Sequence, residues 1–139
     1  MTESRNPAIA ALVLRLSLGT MFIAHALLKY FVFTLPGTAQ FFQSLGLPGM
    51  LGYVTFAAEL VGGVLLVLGV QSRAVALALV PILLGATWAH AGNGWVFSAP
   101  NGGWEYPAFW TVTLVVQALL GDGAYALRPS SPPLVARPV

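Results

Sequence analysis

Glu59 is an acidic residue set inside an apolar run spanning residues 50–70, and that placement makes it the first candidate for chemistry. It stands nine residues into the run, ~13 Å along a helix rising 1.5 Å per residue. An ionised glutamate facing lipid at such a depth costs at least ~3 kcal/mol on insertion scales, so its carboxyl must face protein or water. Gly52, Thr55, Gly62 and Gly63 lie at i−7, i−4, i+3 and i+4. Glu59 therefore shares the face where a second helix backbone can come close. His25 and Lys29 are four residues apart on one face of the preceding apolar run. His90 ends the third run, and Trp104 and Glu105 precede the fourth. Two neutral-pH titrators, two carboxyls and an ammonium suit proton transfer. Glu59, His25 and Lys29 are the candidate catalytic residues. His25, Lys29, His90, Trp104 and Glu105 are the candidate ligand contacts.

A plainer reading stands beside this one. Glu59 can be a buried carboxyl, neutral or paired, that locks two helices together. Lys29 can snorkel to the interface, His90 can be an interface histidine, and Arg15 and Arg73 are expected as headgroup anchors. Other chemistry finds no support. There is no phosphate-cradling glycine motif, no nucleophile elbow and no His-Glu-x-x-His. His25 and His90 would have to face each other across the bundle to ligate haem, so haem fits poorly. His25, His90 and Glu59 match zinc in ligand type, but no spacing supports a metal. A quinone fits best: an apolar ring whose two carbonyls need donors, approached from within the bilayer.

The elements that position these residues follow from composition. Of 139 residues, 58% are hydrophobic, mean hydropathy is +0.83, and six basic and four acidic residues make up the charge. A soluble domain of this length would carry about a quarter charged residues. The fold class is an all-α integral membrane protein. Four apolar runs, about residues 8–33, 50–70, 74–91 and 107–124, predict a four-transmembrane-helix bundle, without the alternation of a barrel. The fourth run reaches spanning length only if Asp122 sits at the headgroup level. One membrane domain covers 1–128, and residues 129–139, rich in proline, read as a disordered cytoplasmic tail.

With four spans, Arg5, Arg15, Arg73, Arg128 and Arg137 fall on one side and Lys29 on the other. That asymmetry predicts both termini in the cytoplasm of a multi-pass protein. Ala24-His25-Ala26 imitates a signal-peptide cleavage site, but Arg15 interrupts the apolar run, so a retained first helix is expected. In the first outer loop Thr38 is expected to cap a short interfacial helix presenting Phe41, Phe42 and Leu45 to the membrane surface. Asn93-Gly94 and Asn101-Gly102 predict a hairpin or ordered lid over residues 92–106. Trp88, Trp95, Trp104 and Trp110 around it read as an outer aromatic belt. Six scattered basic residues make no nucleic-acid surface, and cysteine is absent.

Several elements together resemble the DoxX family of small four-helix bacterial membrane proteins. They are His25-Ala26-Leu27-Leu28-Lys29, then residues 41–48 with Leu45-Gly46-Leu47-Pro48, then Ala58-Glu59-Leu60-Val61-Gly62-Gly63. Gly69 with Arg73, His90, Gly103-Trp104-Glu105-Tyr106 and Gly121-Asp122-Gly123-Ala124-Tyr125 complete the pattern. Ala26 stands where the family pattern has glycine, a difference of packing. The resemblance implies the bacterial cytoplasmic (inner) membrane and a link to respiratory or sulfur-compound redox chemistry. Two functions follow as expectations. The first is a quinone-linked redox subunit whose electrons come from a partner protein, since this chain lacks cysteine and any flavin motif. The second is a non-catalytic anchor, assembly factor or small-molecule carrier. The lipid bilayer is a partner in either case, and an oligomer is compatible with both.

Overall fold

The computed structural model describes residues 5–131. Five α-helices follow in order: α1 (Asn6–Phe31), α2 (Leu35–Ser44), α3 (Met50–Leu68), α4 (Ser72–His90) and α5 (Glu105–Leu120). Among the described residues the sole β pairing is an isolated bridge between Val70 and Arg128. The long helices form a ring in which α1 packs on α3, α3 on α4, α4 on α5 and α5 back on α1. Their centre is filled by Leu18 and Phe22 of α1, Leu66 of α3, Leu79 and Leu83 of α4, and Trp110 and Leu114 of α5. Trp110 is thus a core residue at 5% exposure, not a member of the expected aromatic belt.

The protein is apolar outside and polar at selected points within. Val13, Val54, Val61, Leu84, Val112 and Leu119 are exposed, while Arg15, Glu59, Gln117 and Asp122 are buried. That inversion is what lipid requires of a helix bundle. α1, α3 and α4 are each long and apolar enough to cross a membrane. α5 has 16 residues, ~24 Å of helix, and falls short. It stops where Gly121, at φ 90°, leaves the helical region, so the expected run to residue 124 does not continue as helix.

Asp122 turns inward and is buried. Its Oδ1 accepts the Ser72 N–H at 2.9 Å, at the start of α4, and its Oδ2 accepts the Ser130 N–H at 2.9 Å. Arg15 corrects the headgroup-anchor expectation, being 1% exposed. Its guanidinium donates to Leu66 O and Val67 O at 2.9 and 2.8 Å, and to Asp122 O and Ala124 O at 2.9 Å each. Arg73 donates to Ala118 O at 2.8 Å and Leu119 O at 3.2 Å. Cations thus meet the carbonyl ends of α3 and α5, and a carboxylate meets the amide end of α4. Each charge offsets unsatisfied backbone groups and the helix dipole. Gly69, at φ 74°, is required here because a Cβ would lie 2.6 Å from Arg15 Nη1.

The same junction binds Arg128 and the start of the expected tail. Arg128 N–H donates to Gly69 O at 3.1 Å, and Ser130 also bonds Asp122. The remainder of the expected tail, residues 132–139, lies outside the described residues.

Burial alone would push the Asp122 carboxyl up, but the hydrogen bonds from Ser130 and Ser72 outweigh it and hold the group below the usual carboxylate range. A depressed folded-state value contributes stability above the unfolded value and loses it as pH falls through the folded one. Thermal unfolding in detergent should therefore drop on acidification from about pH 6 to about pH 3. Asp122→Asn should be less stable at the upper pH and show a smaller drop. An equal acid-side loss in that variant would remove Asp122 as its source.

α2 begins earlier than its sequence suggests. Thr34, not Thr38, is the cap: its Oγ1 accepts the Gly37 N–H at 3.1 Å. Pro36 in the first turn suits a helix start rather than a break. Thr38 is buried and donates to Thr34 O at 2.9 Å. Next to it Ala39 packs on Gly52 of α3, leaving Phe41 exposed.

Candidate functional site

Gly52, Glu59, Gly62, Gly63 and Leu66 form the buried face of α3. A Cβ on Gly63 would lie 2.9 Å from Gly19 O, and one on Gly19 would lie 2.8 Å from Gly63 O. The backbones of α1 and α3 thus cross in near contact. Because the two helices run antiparallel from that crossing, the last turn of α1 is carried alongside Glu59. Lys29 Nζ donates to Glu59 Oε2 at 2.8 Å, with the two side chains 18% and 7% exposed. This ion pair is the centre of the candidate site. Burial raises the Coulombic stakes, since each charge would be costly without the other.

His25 lies one turn before Lys29 but serves the neighbouring seam. Its Nδ1–H donates to Met21 O at 2.9 Å. A carbonyl can only accept, so the neutral ring keeps Nε2 as a free acceptor. The ring stands edge-on to Trp110 at 4.7 Å and stacks on Tyr106 at 6.5 Å. α1 therefore turns Lys29 toward α3 and His25 toward α5.

His90 and Glu105 belong to the loop that joins α4 to α5. His90 Nδ1–H donates to Ala86 O at 2.8 Å, and its ring borders Gly102, where a Cβ would lie 3.3 Å from Cδ2. Glu105 Oε1 accepts the Phe97 N–H at 3.0 Å. The backbone amides of Trp104 and Glu105 donate to Gly94 O and Trp95 O at 3.1 and 2.9 Å. Asn93 adds bonds to Asn101 O and Gly102 O. The segment is a clasped lid rather than a strand hairpin, and Gly103 is required because a Cβ would collide with Val96 O. The Trp104 side chain is exposed.

The structure therefore joins Lys29 to Glu59 directly, turns His25 of the same helix toward α5, bonds Glu105 to the Phe97 amide of the lid, and keeps His90 bonded within α4 with its ring beside Gly102. No three metal-ligating side chains converge among the described residues. Tyr106 and Trp110, which flank His25, were not singled out from sequence as site residues. Their i, i+4 spacing on α5, one turn past Glu105, was the available signal.

The sequence pattern of the DoxX family matches residues 10–92. A Bacillus subtilis (strain 168) protein named "Putative oxidoreductase CatD" is 42% identical over 78 residues, which are 56% of this chain and 57% of that relative. The aligned part thus spans little more than half the relative's length. No solved structure matches.

Proposed function

The chain belongs to the DoxX family, and on that premise we propose that it is a membrane-embedded redox subunit that binds a quinone and manages its protons. The observation that supports this most is the Lys29–Glu59 pair, an ionisable couple enclosed between two membrane-type helices. Polar groups at such depth are expensive and serve pathways or sites by default. The oxidoreductase name of the Bacillus subtilis relative points the same way.

In this reading α5 is a short fourth crossing, both termini are cytoplasmic, and the protein sits in the bacterial inner membrane. Lys29, Glu59 and the lid then lie toward the outer face. Quinone chemistry supplies a two-electron, two-proton couple. The electrons come from a partner protein, because this chain has no thiol to provide them. Lys29 donates to a ring carbonyl, and the Nε2 lone pair of His25 accepts from a hydroxyl of the reduced ring. Glu59 takes or gives the proton, its carboxylate held in place by Lys29.

A second reading, a non-catalytic anchor or carrier, is favoured by the completeness of the Lys29–Glu59 pairing, which also suits a helix lock. Glu59→Gln separates the two. The variant keeps a hydrogen-bonding side chain and should fold normally. In the complex isolated from its native membrane, quinone-dependent turnover should fall by about 100-fold or more. Unchanged turnover would assign Glu59 to packing.

A further inference from the structure

α1 meets α3 backbone to backbone, but its seam with α5 stays open. A groove of about 240 Å³ runs there, walled by Leu14, Leu18 and Met21 of α1 and by Phe109, Trp110 and Thr113 of α5. Toward the lid it joins a shallower depression of about 350 Å³ beside Glu105, sharing Tyr106 and Phe109 as a common wall.

The walls are almost wholly hydrocarbon. Ser17 and Thr113 also line the groove, but their hydroxyls already donate to Val13 O and Trp110 O at 2.8 Å each. Trp110 differs. It is 5% exposed, and its indole N–H has no hydrogen-bond partner. Buried donors are rarely left this way, because the loss of hydration goes uncompensated. Water is a poor occupant, since it needs 2–4 polar partners. A bare hydrocarbon tail would suit the walls but brings no acceptor for the indole.

We propose that this seam is the binding groove for a tailed, membrane-borne carbonyl compound. Its chain lies along Leu14 and Leu18, and its head carbonyl accepts from Trp110 Nε1–H beside His25. Trp110 is then a binding residue, and the seam between α1 and α5 is the lateral entrance from the bilayer. The identity of the head as a quinone rests on the redox reading above. The groove, the tail and the indole donor rest on the packing.

The test uses the full chain in lipid nanodiscs and a benzoquinone whose alkyl tail ends in a diazirine. Photolabelling should place adducts on α1 and α5 residues that line the groove. Excess decyl-benzoquinone should compete, and decylbenzene, which has the ring and tail but no carbonyl, should not. Ser17→Trp fills the groove from its exposed edge, away from Lys29 and Glu59, and should abolish the competable labelling. Trp110→Phe keeps an aromatic ring without the N–H and should lower it by about fivefold. Competable adducts that persist in Ser17→Trp, or that map to the α1–α3 side, would overturn the seam while leaving the redox reading intact. Absence of any competable labelling would overturn both. Competable labelling in the groove together with undiminished turnover in Glu59→Gln would uphold the seam and remove the proton-relay role of Glu59.

Discussion

Arg15→Met should destabilise the protein by ~3–5 kcal/mol, the range for stranding the partners of a buried charge. The methionine can fill the volume of the arginine stem but offers no donor. Four carbonyl oxygens would lose their bonds together, two at the end of α3 and two in the segment after α5. Arg15→Lys should recover only part of the loss, because one ammonium cannot reach as many separate acceptors as the planar guanidinium fork. Unfolding of the purified chain by increasing SDS in mixed micelles measures this directly. A loss under about 1 kcal/mol, the value of one ordinary hydrogen bond, would show that the clamp does not hold the helix ends together.

Lys29→Met should cost nearly as much, for a different reason. It leaves the Glu59 carboxyl, 7% exposed, with no counter-charge, and breaking a buried pair from one side costs ~3–5 kcal/mol. Glu59→Gln should cost clearly less. Lys29 is the more exposed partner at 18% and sits in the last turn of α1, where its long stem can carry the ammonium outward. The double variant Glu59→Gln/Lys29→Met removes both charges and should regain most of what Lys29→Met loses. The same SDS titration, run as a double-mutant cycle, reads the coupling. Equal losses for the two single variants, or a double variant no better than Lys29→Met, would mean that the pair is not the buried unit described above. Combined with turnover, the double variant also separates catalysis from packing: restored folding with full activity would leave Glu59 a structural residue.

Much of this arrangement is legible without coordinates because lipid imposes simple rules on a chain. Apolar runs of about 20 residues become helices. A glutamate flanked at i−7, i+3 and i+4 by glycines lies on the face where a neighbour's backbone approaches. The sequence thus determined the all-helical class, the apolar outer surface and the buried face that carries Glu59, while the loop over residues 92–106 stayed open between a hairpin and a lid. The connection between α1 and α3 also reads as helical, with Thr34 rather than Thr38 as its cap.

Only the tertiary structure decided where the remaining polar groups point. Arg15 looks like an interface anchor when each charge is judged by its place in its own helix. Its acceptors lie 51 to 109 positions away, at the end of α3 and in the segment after α5, and reach Arg15 only once both have folded back beside α1. The same holds for Asp122, whose partner amide is the start of α4. Trp110 reads as a belt residue until α5 places it against Phe22, with ring centroids 4.6 Å apart. His25 and Lys29 share a helix face in sequence, yet they serve different seams, because α1 sits between α3 and α5 and a rotation of ~40° separates i from i+4. Hydropathy sets how deep a residue lies. Which neighbour it meets there depends on how the helices close into a ring.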